Sequence, residues 1–199
     1  MGFPKTLKGL SNRITKIRTY LSETKREYGW LDDSGGLRYE LAYLYFLLDD
    51  NRRSSEYMRW FDREFPDDTG EPFQLLCRAL MLHRMKKTTE AEKFFVKTMC
   101  SNIYMVPSLL DMKIEYEEIH HSIDWAEPGY VTNMPDRLRA AITPEDTTWI
   151  RDTYHSMRIQ EIRAQYLEIE KQLVILPPGE KRKALVTQKF KLAKARMYD

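Results

Sequence analysis

The side chains best suited to metal chemistry lie close together in the middle of the chain, where His120 and His121 are followed by Asp124. On a helix, His120 and Asp124 stand one turn apart and could share an ion, whereas His121 points about 100° away from His120. A complete site would need ligands from elsewhere, such as His83 or His155. Two histidines at a helix end also suit a structural role, because the helix dipole favours positive charge there. We therefore predict no metal site and keep His120 and Asp124 as the metal candidates.

The common sequence signatures of catalysis are missing from the chain. It contains no glycine-rich phosphate loop and no HExxH, CxxC or GxSxG motif, and each absence removes a frequent route to catalysis. Cys77 and Cys100 are the only cysteines. Both fall in apolar helical patterns, and no neighbouring His and Asp indicate an activated thiolate. We predict a non-catalytic protein that uses no cofactor and holds two core cysteines.

Composition indicates the fold class and the setting. The 199 residues include only 8 Gly and 9 Pro, while 31% are charged, which favours long helices in a single all-α domain over residues 1–199. No run of residues approaches the roughly 18 uncharged positions that a membrane-spanning helix needs. Two cysteines are too few for a disulfide framework. The sequence therefore predicts no membrane segment and a reducing, cytoplasmic location.

Two helical hairpins are predicted on either side of a short break. LRYELAYLYFLLDD and SSEYMRWFDREF place apolar residues at helical spacing around a polar turn. Pro66 should end the second helix, because it lacks an N–H and disfavours a helical Phe65. In the turn that follows, Asp68 or Thr69 could cap the next helix, and Pro72 suits its first turn. FQLLCRALMLHRM and EAEKFFVKTM then repeat the same design.

The two hairpins align at an offset of 37 residues, pairing small residues with small and large with large: Ala42 with Ala79, Tyr45 with Leu82, Ser54 with Ala91, and Met58 with Phe95. This pattern resembles the tetratricopeptide repeat, in which small residues allow close helix packing and a proline tends to end the second helix. The resemblance spans residues 35–122 if a degenerate third helix begins at Pro107. Arg78 departs from it, because a leucine is usual there. The resemblance implies a right-handed solenoid of hairpins; an ordinary helix bundle with accidental self-similarity is the alternative.

Such an array needs further elements to cover its ends, and the two termini are the candidates. Residues 1–30 predict a capping helix, and residues 123–142 an ordered, packed loop. Residues 143–199 predict a helical pair whose first member is capped by Thr143 and bent near Ser156. Both ends are basic: residues 1–28 hold seven Lys or Arg against two Glu, residues 180–199 hold seven against two acids, and the middle is acidic.

The resemblance also implies where a partner would bind. In the family, the first helix of each hairpin lines a concave groove that suits an extended peptide or a partner helix. The matching positions here are Tyr39, Tyr43, Phe46, Leu76, Leu80, His83 and Arg84, with Lys113, Glu117 and His120 added by the third helix. The sequence therefore predicts a protein-interaction module with a protein or peptide partner.

Two alternatives to an open groove are left by the sequence. In the first, the helix that begins at Thr143 folds back over the groove and converts these residues into core. In the second, the basic N-terminal and C-terminal helices bind nucleic acid, since neutralising phosphates requires only clustered Lys and Arg. Salt dependence separates nucleic-acid binding from groove binding, because counterion release makes phosphate contacts weaken steeply with salt.

Overall fold

The computed structural model describes residues 2–31, 33, 35–119 and 123–193. Within these ranges every regular element is helical and no strand occurs. The predicted all-α class is therefore confirmed. None of the helices in the described part of the chain is both long enough and apolar enough to cross a membrane.

Two antiparallel hairpins form the centre of the molecule. The first consists of α2 (Leu37–Leu48) and α3 (Asn51–Glu64), and the second of α4 (Pro72–Arg84) and α5 (Thr88–Ser101). Helix α4 contacts both helices of the first hairpin. The small side chains that the alignment singled out are all buried where helices meet: Ala42, Ser54, Ala79 and Ala91.

Helix α4 is the central helix, and every residue from Pro72 to Leu82 is buried. Its N-terminus is capped by Glu71, whose carboxylate accepts the N–H groups of Phe73 and Gln74, both at 2.9 Å. The predicted cap at Asp68 or Thr69 is wrong, because α4 begins at Pro72 and Glu71 occupies the capping position. Asp68 instead accepts the N–H of Gly70.

Helix α1 (Leu7–Tyr28) packs against α2 through one apolar stripe. It ends at Gly29, which adopts the left-handed region at φ 80°. One of its contacts with α3 is a cation over a ring, with the guanidinium of Arg18 lying 4.1 Å from the centre of the Trp60 ring. The buried residues of the stripe include Leu10, Ile14, Ile17 and Leu21, whereas Leu7 is exposed.

The predicted third repeat helix is wrong over the described residues. Helix α6 (Met105–Leu109) is only five residues long, and residues 112–119 are not helical. The chain leaves α6 through Asp111, which adopts a left-handed φ of 53°. The N–H of Met112 then reaches back to the carbonyl of Pro107 at 2.9 Å. This bond closes the helix end and turns the chain away.

Residues 123–142 carry three short helical elements. These are two 3₁₀ turns, Asp124–Ala126 and Pro128–Asn133, followed by the short helix α7 (Asp136–Ala140). Three apolar side chains of this segment are buried in the core: Val131, Met134 and Leu138.

Three helices complete the described chain: α8 (Pro144–His155), α9 (Met157–Ile175) and α10 (Glu180–Ala193). The predicted cap at Thr143 is confirmed, since Thr143 and Asp146 form a reciprocal capping box. The predicted bend is a break at Ser156, whose ψ of 140° is extended. Helix α8 packs on α4, while α9 and α10 pack on α5. Helix α10 contributes no fully buried residue.

Candidate functional site

The predicted groove residues on α2 and α4 face other parts of the same chain. Leu76, Leu80 and Phe46 are buried in the core. The hydroxyl of Tyr39 donates to the carboxylate of Asp68 at 3.0 Å, and burial raises the pKa of Tyr39 to about 12. Tyr43 lies edge-on to the ring of Phe3, with the ring centres 6.2 Å apart. These side chains are therefore packed within the protein.

Helix α8 covers the end of α4 that the resemblance assigned to a partner. The guanidinium of Arg84 donates to Asp146 at 2.6 Å and to the carbonyl of Ala141 at 2.8 Å. His83 stacks on Trp149, with ring centres 4.6 Å apart, and burial lowers the pKa of this histidine. This is the folded-back arrangement that the sequence left open as an alternative to an open groove.

Glu71 forms hydrogen bonds with α2, with α4 and with the 123–142 segment. Besides its two backbone donors, it accepts the hydroxyl of Tyr43 at 2.5 Å and the hydroxyl of Tyr130. Burial and the neighbouring Glu71 carboxylate raise the pKa of both tyrosines, so both hydroxyls remain protonated donors. The four donors satisfy a carboxylate that lies in the core.

The remaining predicted site residues are not brought together. Lys113 is exposed and pairs with Glu115, whereas Glu117 pairs with Lys171 on α9. Asp124 is exposed at the start of a 3₁₀ turn, and His120 lies outside the described residues. Among the residues that the structure describes, no three His, Cys, Asp or Glu side chains are grouped to hold a metal ion.

Both cysteines are buried in the helical core. Burial raises the pKa of Cys100 to about 12 and raises that of Cys77 well above its usual range. The thiols therefore stay protonated near neutral pH, and a thiol is a much weaker nucleophile than a thiolate.

A cavity of about 440 Å³, which we call the main cavity, opens beside the C-terminal end of α5. Four parts of the chain wall it: the 66–70 turn between the hairpins, the C-terminal end of α5, Ile119 with Ile123, Trp125 and Ala126, and the facing sides of α9 and α10. Its volume falls in the range of roughly 300–1,000 Å³ typical of ligand pockets.

The main cavity has an apolar rim and a charged floor. Ile123 and Phe190 stand at the rim and are 42% and 47% exposed. Inside it, Glu170 on α9 is 2% exposed and accepts the ammonium of Lys189 on α10 at 2.9 Å through Oε1. Tyr166 lies beside the same carboxylate, and burial together with the charge of Glu170 and a side-chain hydrogen bond to it raises the pKa of Tyr166.

Sequence reasoning missed the residues of this cavity. Glu170 gave a local signal, because it falls one turn after Tyr166 next to the apolar stripe of α9, where a charge is costly unless it is paired. Lys189 gave none, since its partner lies on another helix. The 66–70 turn and α10 are more than 100 residues apart in sequence, so only the folded chain brings them together.

Comparisons with protein-family models, with curated proteins and with solved structures give no match to this chain. Its function is therefore inferred from its own side chains.

Proposed function

We propose that the protein is a non-catalytic interaction module that binds a polypeptide segment in the main cavity. The observation that carries this proposal is the main cavity itself, a space of about 440 Å³ with the exposed apolar side chains of Ile123 and Phe190 at its rim. Burying such apolar surface against a partner is favourable.

The rim favours a polypeptide over a small molecule. Ile123 and Phe190 extend apolar surface outward from the cavity, so residues that flank an inserted side chain would also lose contact with water. Protein interfaces commonly combine one anchor in a pocket with such surrounding apolar contacts. Trp125 and Asn102 add aromatic and polar groups to the same wall.

We further propose that the two hairpins are tetratricopeptide-like in arrangement. Support comes from the buried small residues at the helix contacts and from the packing of α4 on both helices of the preceding hairpin. With α8 on the α2–α4 face, the partner site of this module is the other face, between α5 and the C-terminal helices.

Several basic side chains near the two ends of the chain form contacts within the protein, which counts against the nucleic-acid alternative. Arg13 pairs with Glu40, and Lys25 with Glu64 at 2.5 Å. Near the other end, Arg182 donates to the carbonyls at the C-terminus of α9. Basic side chains held by such contacts are less available for phosphates, although Lys8 on α1 is exposed.

Selection from a phage-displayed random peptide library tests the proposal. Ser101→Trp would place a large ring in the main cavity, which Ser101 lines, whereas Thr148→Trp alters an exposed position of α8 outside it. We expect wild type and the Thr148 variant to enrich common peptides, and the Ser101 variant to retain them at least about tenfold less, the equivalent of roughly 1.4 kcal/mol.

Matched unfolding midpoints for the two variants are the control for folding. Equal retention by both variants would show that the main cavity is not the binding site. Retention of labelled nucleic acid that falls steeply with salt, without peptide enrichment, would assign the function to the basic ends.

A further inference from the structure

The chain that follows helix α6 alternates apolar and charged side chains on the surface of the protein. We call this stretch the exposed segment, and it consists of Met112, Lys113, Ile114, Glu115 and Tyr116. Its three apolar side chains are 39%, 39% and 66% exposed in chain order, and its two charged side chains are 85% and 73% exposed. Exposed apolar side chains that are grouped together are typical of a contact surface, whereas singly scattered ones are not.

The exposed segment is extended and held at both ends. Residues 112–117 contain no helix, turn or bend. At one end, the N–H of Met112 donates to a carbonyl of α6 at 2.9 Å. At the other end, the N–H of Glu117 donates to the hydroxyl of Tyr104 at 3.2 Å, and the Glu117 carboxylate pairs with Lys171 at 2.9 Å. A segment that is already fixed in this way loses less conformational freedom when it binds.

The backbone of the exposed segment is available for pairing with another strand. Within the part of the chain that the structure describes, no backbone N–H or C=O group of Lys113, Ile114 or Glu115 is hydrogen-bonded. A row of such groups on an extended chain is where a further strand adds through main-chain hydrogen bonds. In an extended chain, successive side chains point to opposite faces. The three apolar side chains therefore share one face, and Lys113 and Glu115 share the other.

The side chains of the exposed segment are complementary to a second copy of themselves. When two copies run antiparallel with Ile114 opposite Ile114, Lys113 of one copy faces Glu115 of the other, and Met112 faces Tyr116. Cross-strand pairs of opposite charge are stabilising, and methionine packs favourably against an aromatic ring. All five positions are thus matched, apolar with apolar on one face and opposite charges on the other.

Other registers lose this match. A shift by one residue places charged side chains opposite apolar ones. A shift by two residues places Lys113 opposite Lys113 or Glu115 opposite Glu115, and a parallel pair in register does both. Like charges directly opposite each other are destabilising. The side chains therefore select a single antiparallel arrangement, which has two-fold symmetry.

We propose that the exposed segment pairs with the same segment of a second copy of this chain, forming a two-stranded antiparallel ribbon with Ile114 on the two-fold axis. Five residue pairs make a small interface, so the dimer is weak and forms as concentration rises. The inference is independent of the proposed function, because none of residues 112–116 lines the main cavity.

Sedimentation equilibrium of the full chain between about 5 and 500 µM tests the inference. We expect the average mass of wild type to rise towards twice the monomer mass. Ile114→Lys places two ammonium groups together at the axis and should weaken association at least about tenfold. Met157→Lys makes the same type of change at an exposed apolar position of α9 and should leave association unchanged. Equal unfolding midpoints of both variants are the control for folding.

Exchanging the two charges tests the register. Lys113→Glu brings two carboxylates together across the ribbon, and Glu115→Lys brings two ammonium groups together. We therefore expect each variant alone to associate at least about tenfold more weakly than wild type. In an equimolar mixture, a carboxylate of one variant faces an ammonium of the other at both positions. The mixture should recover association close to that of wild type.

The outcomes decide between this dimer and other uses of the exposed segment. A wild type that stays monomeric over the whole concentration range would overturn the inference, including the case in which the segment binds a strand of a different protein. Association that Ile114→Lys leaves unaltered would place the dimer contact elsewhere on the molecule. Charge variants that associate alone as wild type does, or a mixture that recovers nothing, would contradict the pairing of Lys113 with Glu115.

Discussion

Replacing Asp146 by alanine is expected to destabilise the protein by about 3–5 kcal/mol, the usual effect of removing one partner of a buried ion pair. The side chain of Asp146 is 1% exposed and that of Arg84 is 17% exposed. Without the carboxylate, the Arg84 guanidinium loses its main counter-charge and the N–H of Thr143 loses its acceptor. The measurement is urea-induced unfolding at neutral pH.

Glu145→Ala is the matched control for this prediction. Glu145 is the preceding residue and also forms an ion pair, with Lys86 at 2.9 Å, but both side chains are more than 70% exposed. Exposed pairs contribute roughly 0–1 kcal/mol, so we expect little change. A loss of less than about 1 kcal/mol in Asp146→Ala would contradict the docking of α8 on α4 through this pair.

The same pair predicts a pH dependence. Burial alone would raise the pKa of Asp146, but the hydrogen bonds from Arg84 and from the Thr143 backbone more than offset burial and hold it below its usual range. A carboxyl with a depressed folded pKa stabilises the protein above its unfolded pKa, about 3.9, and that contribution is lost as pH falls through the folded value. The stability difference between wild type and Asp146→Ala should therefore shrink below about pH 4.

Gly70→Ala is the second large effect that we expect. Gly70 adopts a left-handed φ of 84°, and a Cβ there would collide with the Leu75 side chain and lie 2.9 Å from Gln74 Oε1. The backbone strain alone is worth about 1–2 kcal/mol for a residue with a side chain, and overpacking a buried site adds roughly 1–3 kcal/mol. We therefore expect a loss of about 2–5 kcal/mol, measured by urea unfolding.

Two further glycines separate the causes. Gly29 has a similar φ of 80° but no atom within 4 Å of a new Cβ, so Gly29→Ala reports the backbone strain alone. Gly129 has neither a positive φ nor a close neighbour, so Gly129→Ala should be near neutral. If Gly70→Ala and Gly29→Ala lose the same stability, the close approach of the 66–70 turn to α4 is not as described.

Local signals in the sequence were sufficient for much of the helical framework. Pro66, Pro72 and Thr143 act through their own backbone or side-chain chemistry, so the helix boundaries near them were predictable. The small residues at the helix contacts were predictable because the two hairpins repeat the same spacing of small and large apolar residues. By contrast, the end of α6 depends on Asp111 in a left-handed conformation, which its residue type permits but does not require.

The site could not be predicted in the same way. The main cavity joins the 66–70 turn to helices α9 and α10, and no periodic pattern reports contacts between such distant segments. Glu170 gave a local signal, since a charged residue beside the apolar stripe of α9 must be paired if it is buried. The sequence left open whether α8 covers the α2–α4 face, because the apolar pattern of a helix does not show against which face of the protein it packs.

Photo-crosslinking at the rim of the main cavity tests the central claim most directly. The photoreactive amino acid p-benzoylphenylalanine would replace Ile123 at the rim in one variant and the exposed Lys8 of α1 in another, and both would be illuminated in nuclease-treated native lysate. The account predicts a polypeptide adduct at position 123 and none at position 8. An adduct at position 8 alone, or one abolished by nuclease, would contradict it.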